Sequence, residues 1–265
     1  MVNYETIILE KKEHIAKITL NRPERMNAVD PQMSNELLSA FDEVSRDNEV
    51  NVLVLTGSGR AFCGGADVKD FVSGGIEGRD TATGTYRGPA GSTIIQKLRK
   101  MKIPTIAMVN GAAVGGGAAL AFACDIRVGS EKARFMNAFI KRGLASGWGG
   151  PWLYPRVMGL AKALEIMLTG DFLEAKEAER VGALNRLVTS EELEKETMAL
   201  ARKFANGPGI AIRETKVQVY EGLFTDLETA LQRSNQGEHV TIGTEDYREG
   251  VKAFFEKREP RFKGR

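Results

Sequence analysis

The sequence predicts an α/β core followed by a helical C-terminal region. Three observations carry that expectation. Two continuous apolar runs, VNVLVLT (50–56) and IPTIAMVN (103–110), are each followed at once by glycine, the pattern of strands buried on both faces of a mostly parallel sheet. Strand-like and helix-like segments alternate as far as about residue 150, and helical patterns follow, so an α/β unit precedes a set of helices. With 265 residues, 42% of them hydrophobic, the chain can bury one sizeable core.

Each element is read in turn. YETIILE (4–10) and HIAKITL (14–20) alternate well enough for two strands, with KKE between them as the turn. NRPERMNAVD (21–30) is a loop. Its Asp30 caps a helix that has Pro31 at its first position and runs to about Val44. VNVLVLT is the third strand. GSGRAFCGGADVKDF (57–71) and a long Gly/Ser/Thr-rich loop over 72–91 lead to a short helix, STIIQKLRKM (92–101). IPTIAMVN is the next strand, and a helix opened by Gly115, Gly116 and Gly117 is expected to follow it directly. CDIRVGS (124–130) and ARFMNA (133–138) read as short strands. Helices are then expected in LAKALEIMLTG, AKEAERVGA, SEELEKETMALARKFA, PGIAIRETKVQVYEG, LFTDLETALQRSNQG and through REGVKAFFEKR.

Composition excludes several classes of function. Lys and Arg number 37 against 35 Asp and Glu, a net charge of +2, and no basic run with interleaved aromatics marks a nucleic-acid surface. The two cysteines, Cys63 and Cys124, give neither a disulfide framework nor metal-ligand spacing. The first residues show no signal-peptide core, and no stretch reaches the roughly 18 unbroken apolar residues of a membrane span. The expectation is a cytoplasmic protein that binds no nucleic acid, membrane or metal. GSGRAF (57–62) follows a strand, but Phe62 stands where a dinucleotide-binding fingerprint needs its third glycine.

The glycines at 115–117 are more informative. They lie between a buried strand and the apolar helix AALAFA. The first N–H groups of a helix lack intrahelical partners and carry partial positive charge. Without side chains, a ligand oxygen can approach them closely. Such a turn suits an anion, or an oxygen that becomes anionic during a reaction. On local sequence alone, tight strand–helix packing explains the glycines equally well.

NRPERMNAV (21–29), AFCGGADVKDF (61–71), IPTIAMVNGAAVGGGAALAFACDIRVGSEKARF (103–135), LTGDFLEAKEA (168–178) and REGVKAFFEKREPRF (248–262) occur in this order over nearly the whole chain. Together they resemble the crotonase superfamily, the enoyl-CoA hydratase/isomerase family. The resemblance implies a ClpP-like spiral of β-β-α units over residues 1–200 and a helical trimerisation region over 201–265. It also implies a homotrimer or dimer of trimers, and an acyl-CoA thioester as substrate, with coenzyme A as part of that substrate and no separate cofactor. By motif position, the backbone N–H groups of Ala66 and Gly116 would hold the thioester carbonyl and stabilise its enolate. Coenzyme A would lie along Arg25, Met26, Ala28, Gly64, Asp67 and Val68. Phe254 and Lys257 would reach the coenzyme A of a neighbouring subunit.

The sequence departs from the family where the family keeps its acids. A hydratase of this family uses one glutamate three residues after the middle glycine, one helical turn on; here that residue is Ala119. The second follows the Phe of EKA-x-F by four residues; here it is Phe139. A third position, an Asp in some relatives, falls on Ser146 or Gly147. General acid–base help is worth roughly 10²–10⁴ in rate, so standard two-glutamate hydration is not expected. Lyase or isomerase chemistry on an enolate is. Thioester hydrolysis, or acyl-CoA binding with weak catalysis, are the alternatives.

Replacement acids or bases are sought among Tyr86, Asn137 and Ser146, with Arg87 and Arg142 as further donors. Asn and Ser donate hydrogen bonds but are poor bases at neutral pH. Tyr86 and Arg87 lie in the long loop, which reads more readily as a solvated lid. Asp67 reads as structural, bonding local N–H groups. His239 is a neutral-pH base by type, but it and His14 read as surface residues, His239 near the start of a helix. Cys63 and Cys124 read as small buried apolar groups. Ala119, Phe139 and Trp148 are expected to line the acyl pocket. Two aromatics there make it dry and broad, which suits a cyclic or aromatic acyl group or a reaction that needs no delivered water; plain core packing is the other reading.

Overall fold

The computed structural model describes residues 4–67 and 91–265. β1 (Ile7–Lys12) and β2 (Ile15–Leu20) form an antiparallel hairpin with Ile7 opposite Leu20. Its turn is Glu13–His14, both at positive φ (51° and 63°), a geometry whose twist matches the flanking strands. The first strand therefore runs through Lys12 instead of ending at KKE. α1 (Pro31–Arg46) is capped by the Asp30 carboxylate, which accepts from the Met33 N–H at 2.8 Å. Met33, Leu37, Ala40, Phe41 and Val44 recur at helical spacing and are all buried.

From β3 onward the chain winds as a spiral that adds one strand to each of two sheets per turn. β3 (Val52–Gly57), β5 (Thr105–Val109) and β7 (Ile126–Ser130) extend a large sheet. β4 (Ala61–Cys63), β6 (Ala112–Val114) and β8 (Arg134–Met136) build a small one. α2 (Gly91–Lys100) precedes β5, and α3 (Gly116–Ala123) follows β6. β9 (Phe172–Glu174) closes the small sheet antiparallel to β8, and β10 (Arg186–Val188) closes the large sheet parallel to β7. The orders are β1-β2-β3-β5-β7-β10 and β4-β6-β8-β9. This is the repeated β-β-α architecture of the crotonase fold.

The remaining helices are α4 (Gly150–Met158), α5 (Leu160–Thr169), α6 (Ala175–Arg180), α7 (Leu193–Ala205), α8 (Gly209–Gly222), α9 (Leu227–Ile242) and α10 (Glu245–Glu256). The large sheet is covered on both faces. Leu53 and Leu55 belong to the main core, while Val52 and Val54 pack with Ile106, Val128 and the α7 residues Leu200 and Ala201. This two-sided burial is why β3 reads as an unbroken apolar run. α3 is buried at all eight positions, so it is apolar all round.

Further expectations are corrected. The glycine-opened helix does not follow β5 directly: β6 intervenes, too short at three residues to show a period. Beyond residue 150 the chain is not purely helical, because the three-residue strands β9 and β10 complete both sheets. α4 was not expected at all. It carries Pro151 near its start, where a missing N–H costs nothing, and Pro155 inside, where proline ordinarily breaks a helix. α9 begins at Leu227, not Leu223, because Asp226 caps it by accepting from the Thr229 N–H at 2.9 Å. α9 also runs past Gly237 to Ile242, so His239 sits in its last turn, exposed, and not near a helix start.

Candidate active site

The site begins with the loop after β2. Asn27 is fully buried at a positive φ of 56°, a conformation that asparagine tolerates. Its amide donates to the carbonyls of Ser58 and Ala61 at 2.9 and 2.8 Å, and its oxygen accepts from the Arg22 N–H at 2.9 Å. Arg22 in turn bonds the Ala28 carbonyl at 2.6 Å, Asp30 at 3.1 Å and Asp67 at 3.3 Å. These two side chains tie the first loop to the segment after β4. Neither was singled out from the sequence, although both sit inside NRPERMNAV.

Ala66 makes an isolated parallel bridge with Val29. The Val29 N–H donates to the Gly65 carbonyl at 2.7 Å, and the Asp67 N–H donates to the Val29 carbonyl at 2.9 Å. The residues flanking Ala66 make these bonds, so its own N–H points the other way. On that other side lies the glycine turn. Gly65 has φ of 89°, and a Cβ on it would lie 2.6 Å from the Val114 carbonyl oxygen and 3.3 Å from the Gly116 nitrogen. The strip carrying Ala66 is thus pressed against Gly116, and only glycine permits it.

Gly116 is the first residue of α3. The Gly115 N–H is used, donating to the Met136 carbonyl at 2.8 Å, and the Gly115 carbonyl accepts from Ala119 N–H at 3.1 Å. The first-turn N–H groups of Gly116 and its successors have no intrahelical partner. Gly117 also serves packing: a Cβ there would overlap the Cys63 carbonyl. The packing reading of the glycine run therefore holds at Gly117, and the first-turn N–H groups are the groups an anionic oxygen would need.

Past this pair the surroundings are apolar. Ala118 and Ala119 are buried. The Phe139 ring faces Gly115, 3.6 Å from where its Cβ would be, and Gly147 at 3.3 Å. The Trp148 indole lies on Gly116, 2.7 Å from where a Cβ would be. Trp148 itself has φ of 55°, a left-handed backbone that costs a bulky residue about 1–3 kcal/mol.

The residues expected along coenzyme A are partly brought together. Gly64 donates its N–H to the Met26 carbonyl at 2.7 Å, and its Cα approaches Arg25 and Met26 so closely that a Cβ would sit 3.3 Å from the Met26 oxygen. Arg25 and Met26 are exposed, with Ala28 and Asp67 half-buried beside them. Phe254 and Lys257 stand apart, on and just after α10, with Phe254 80% exposed. Val68, Tyr86 and Arg87 lie outside the described residues.

Asn137 is buried with both polar atoms engaged: its amide donates to the Met167 carbonyl at 2.9 Å, and its oxygen accepts from the Ser146 hydroxyl at 3.0 Å. Ser146 thereby spends its proton inside the protein. Arg142 is exposed. His14 sits in the β1–β2 turn, half exposed, with Nδ1 2.8 Å from the Glu49 carbonyl. Burial pushes both cysteine thiols up to about 12, so neither supplies a thiolate. Sequence reading also missed Tyr154 of α4. Its hydroxyl is buried without a partner among the described residues, and its ring stands edge-on to Phe122 of α3 at 4.8 Å. Burial raises its pKa far above the usual phenol. Among the described residues no cluster of three or more His, Cys, Asp or Glu could hold a metal ion, and no helix is long and apolar enough to cross a membrane.

Comparison with known proteins places this geometry in context. The family model for enoyl-CoA hydratase/isomerase matches residues 10–265. The probable enoyl-CoA hydratase of Rhodobacter capsulatus is 39% identical over 267 residues, covering 100% of both chains. The 1,2-epoxyphenylacetyl-CoA isomerase of Escherichia coli is 34% identical, covering 98% of this chain and 99% of the other. The crystal structure of a putative enoyl-CoA hydratase from Streptomyces coelicolor superposes with a TM-score of 0.93 at 34% identity, covering 100% of this chain and 96% of that one.

Proposed function

The chain belongs to the enoyl-CoA hydratase/isomerase family, and from that premise we propose that it transforms an acyl-CoA thioester through an enolate held by the N–H groups of Ala66 and Gly116, in lyase or isomerase chemistry and not by two-glutamate addition of water. Acyl-CoA transformation is the activity of the family; the reaction type is the proposal. The observation that carries it is the apolar wall one helical turn beyond Gly116. Ala119 is 1% exposed, and Phe139 borders the same turn, so neither family position can move a proton.

The two N–H groups supply the electrophilic half of the reaction. They bond the thioester oxygen, draw charge onto it and acidify the carbon next to the carbonyl. Each such donor is worth about 3 kcal/mol of transition-state stabilisation when aimed at the developing oxyanion. The enolate then takes a proton at another carbon in an isomerisation, or forms as a carbon–carbon bond breaks in a lyase reaction. The proton travels through bound water or the substrate itself. A dry pocket favours both over hydration, because charge on the enolate is stabilised most where water is excluded.

The test is a panel of linear, cyclic and aromatic acyl-CoA thioesters incubated with the purified protein, followed by product masses. An unchanged mass at a new retention time identifies isomerisation, and loss of carbon dioxide or a carbon fragment identifies a lyase. Gain of one water by most 2-enoyl thioesters at ordinary hydratase rates overturns the reading. Release of free coenzyme A redirects it to hydrolysis.

A further inference from the structure

Two helix-opening glycines from different elements meet on one side chain. A Cβ on Gly116 would lie 2.7 Å from both Cδ2 and Cε2 of Trp148, and a Cβ on Gly91 would overlap the same two atoms and Nε1. The two backbones press on the bond shared by the indole rings. They cannot do so from the same side, because their Cα atoms would then collide. The ring is therefore clamped between the starts of α2 and α3, with its faces covered, and it packs into the main core. It is 6% exposed and hangs from a backbone at φ of 55°. A bulky residue in that conformation is a genuine outlier, and such strain gathers at functional positions. The neighbouring glycine, Gly115, faces the other aromatic, Phe139, at 3.6 Å.

An oxygen bonded to the Gly116 N–H lies within about 3 Å of that nitrogen. The carbons that follow a thioester carbonyl held there must pass between what rests on Gly116 and what rests on Gly115. Those are the rim of Trp148 and the ring of Phe139. We propose that Trp148 is a specificity-determining residue, fixed in place by Gly91 as a positioning residue, and that with Phe139 it restricts the site to thin, planar acyl groups: conjugated enoyl or aryl thioesters in preference to saturated, branched ones. This rests on the reading that Ala66 and Gly116 hold the thioester carbonyl.

The test uses the fluorescence of Trp148. The chain has two tryptophans, so in a Trp152→Phe protein Trp148 is the sole indole. An aryl-CoA is expected to change its emission saturably, while coenzyme A alone leaves it unchanged. Calorimetry on the unaltered protein should show the aryl-CoA binding at least tenfold tighter than a saturated, α-branched acyl-CoA of similar size. Trp148→Ala should erase that ratio and Trp148→Phe keep part of it. Gly91→Ala, which displaces the ring without removing it, should move the ratio in the same direction as Trp148→Ala; circular dichroism verifies that each variant is folded. If thioesters bind more tightly than coenzyme A but the emission is silent and Trp148→Ala keeps the ratio, the specificity role is wrong and the acyl-CoA site stands. If no thioester binds better than coenzyme A alone, the reading of the site fails and takes this inference with it.

Discussion

Gly116 carries two duties that a single substitution would confuse. Its N–H is the proposed oxyanion donor, and its missing side chain makes room for Trp148, since a Cβ would lie 2.7 Å from the indole. Gly116→Pro removes the donor at a first helical position where proline is well tolerated, but it also adds a Cβ. Gly116→Ala adds the Cβ and keeps the donor. The rate difference between the two variants isolates the N–H, and we expect Gly116→Pro to be about 10²–10³-fold slower than Gly116→Ala. Equal rates would remove Gly116 from the oxyanion pair. Ala119 allows the complementary experiment. A glutamate there enters a 1% exposed position, where burial disfavours its charged form. Ala119→Glu with Phe139→Glu should lower thermal stability, and we expect water addition to 2-enoyl-CoA to become measurable above the parent. No gain would mean that the scaffold holds glutamates at these positions out of reach of the substrate.

At the scale of elements, side-chain clusters decide how the pieces dock. Asp125, just before β7, accepts from the Thr105 N–H at 2.7 Å, pairs with Lys216 of α8 at 2.7 Å and accepts from the Tyr220 hydroxyl. The Arg99 guanidinium of α2 lies 3.7 Å over the Tyr220 ring. Burial pushes the Lys216 ammonium below its usual pKa, with Asp125 opposing. Removing one partner of a pair this buried costs about 3–5 kcal/mol, so Lys216→Ala should lower the melting temperature and expose the start of α8 to limited proteolysis. At Glu36 of α1, hydrogen bonds and not burial set the direction. Burial alone would raise its pKa, but the Thr6 hydroxyl at 2.6 Å and the N–H groups of Glu5 and Thr6 outweigh burial and hold it below 4.5. A carboxylate depressed in the folded state contributes stability that is full above its unfolded pKa and is lost as pH falls through the folded one. Glu36→Gln should therefore flatten the loss of stability below about pH 4.5, read from melting temperatures over pH 2–6. The same scale shows what was legible beforehand. β3 and β5 announced themselves because both faces are buried, and α1 because Asp30 and Pro31 mark its start. β4, β6, β9 and β10 are three residues each, too short for any period to register. The strip proposed to hold the thioester oxygen was visible as GGAD and GGG. The Gly91–Trp148 clamp was not, because it joins residues 57 positions apart.

For the whole molecule, the apolar residues left exposed carry the argument. Leu160, Leu164 and Leu168 recur every four residues along α5 at 64%, 46% and 66% exposure. Leu223, Leu227 and Leu231 do the same from the α8–α9 turn into α9, at 54%, 75% and 54%. Isolated exposed leucines need no explanation, but stripes along one helical face mark contact surfaces. A stable interface buries at least about 1,200 Å² in total, and at roughly 25 cal/mol per Å² of apolar area such stripes supply the drive for it. We propose that the chain self-associates through these helices, as a trimer or a pair of trimers. Light scattering on the eluting protein should give three or six times the 29.0 kDa chain mass. Leu164→Glu with Leu231→Glu should shift it toward a single chain without loss of helical signal. The same variant bears on Phe254 and Lys257. If they reach the coenzyme A of a neighbour, Lys257→Ala raises KM and leaves kcat unchanged in the assembled protein, and has no further effect once the assembly is broken. A single-chain mass for the unaltered protein at micromolar concentration would leave Phe254, 80% exposed on α10, with no coenzyme A to reach, and the acyl-CoA site would have to be complete within one chain.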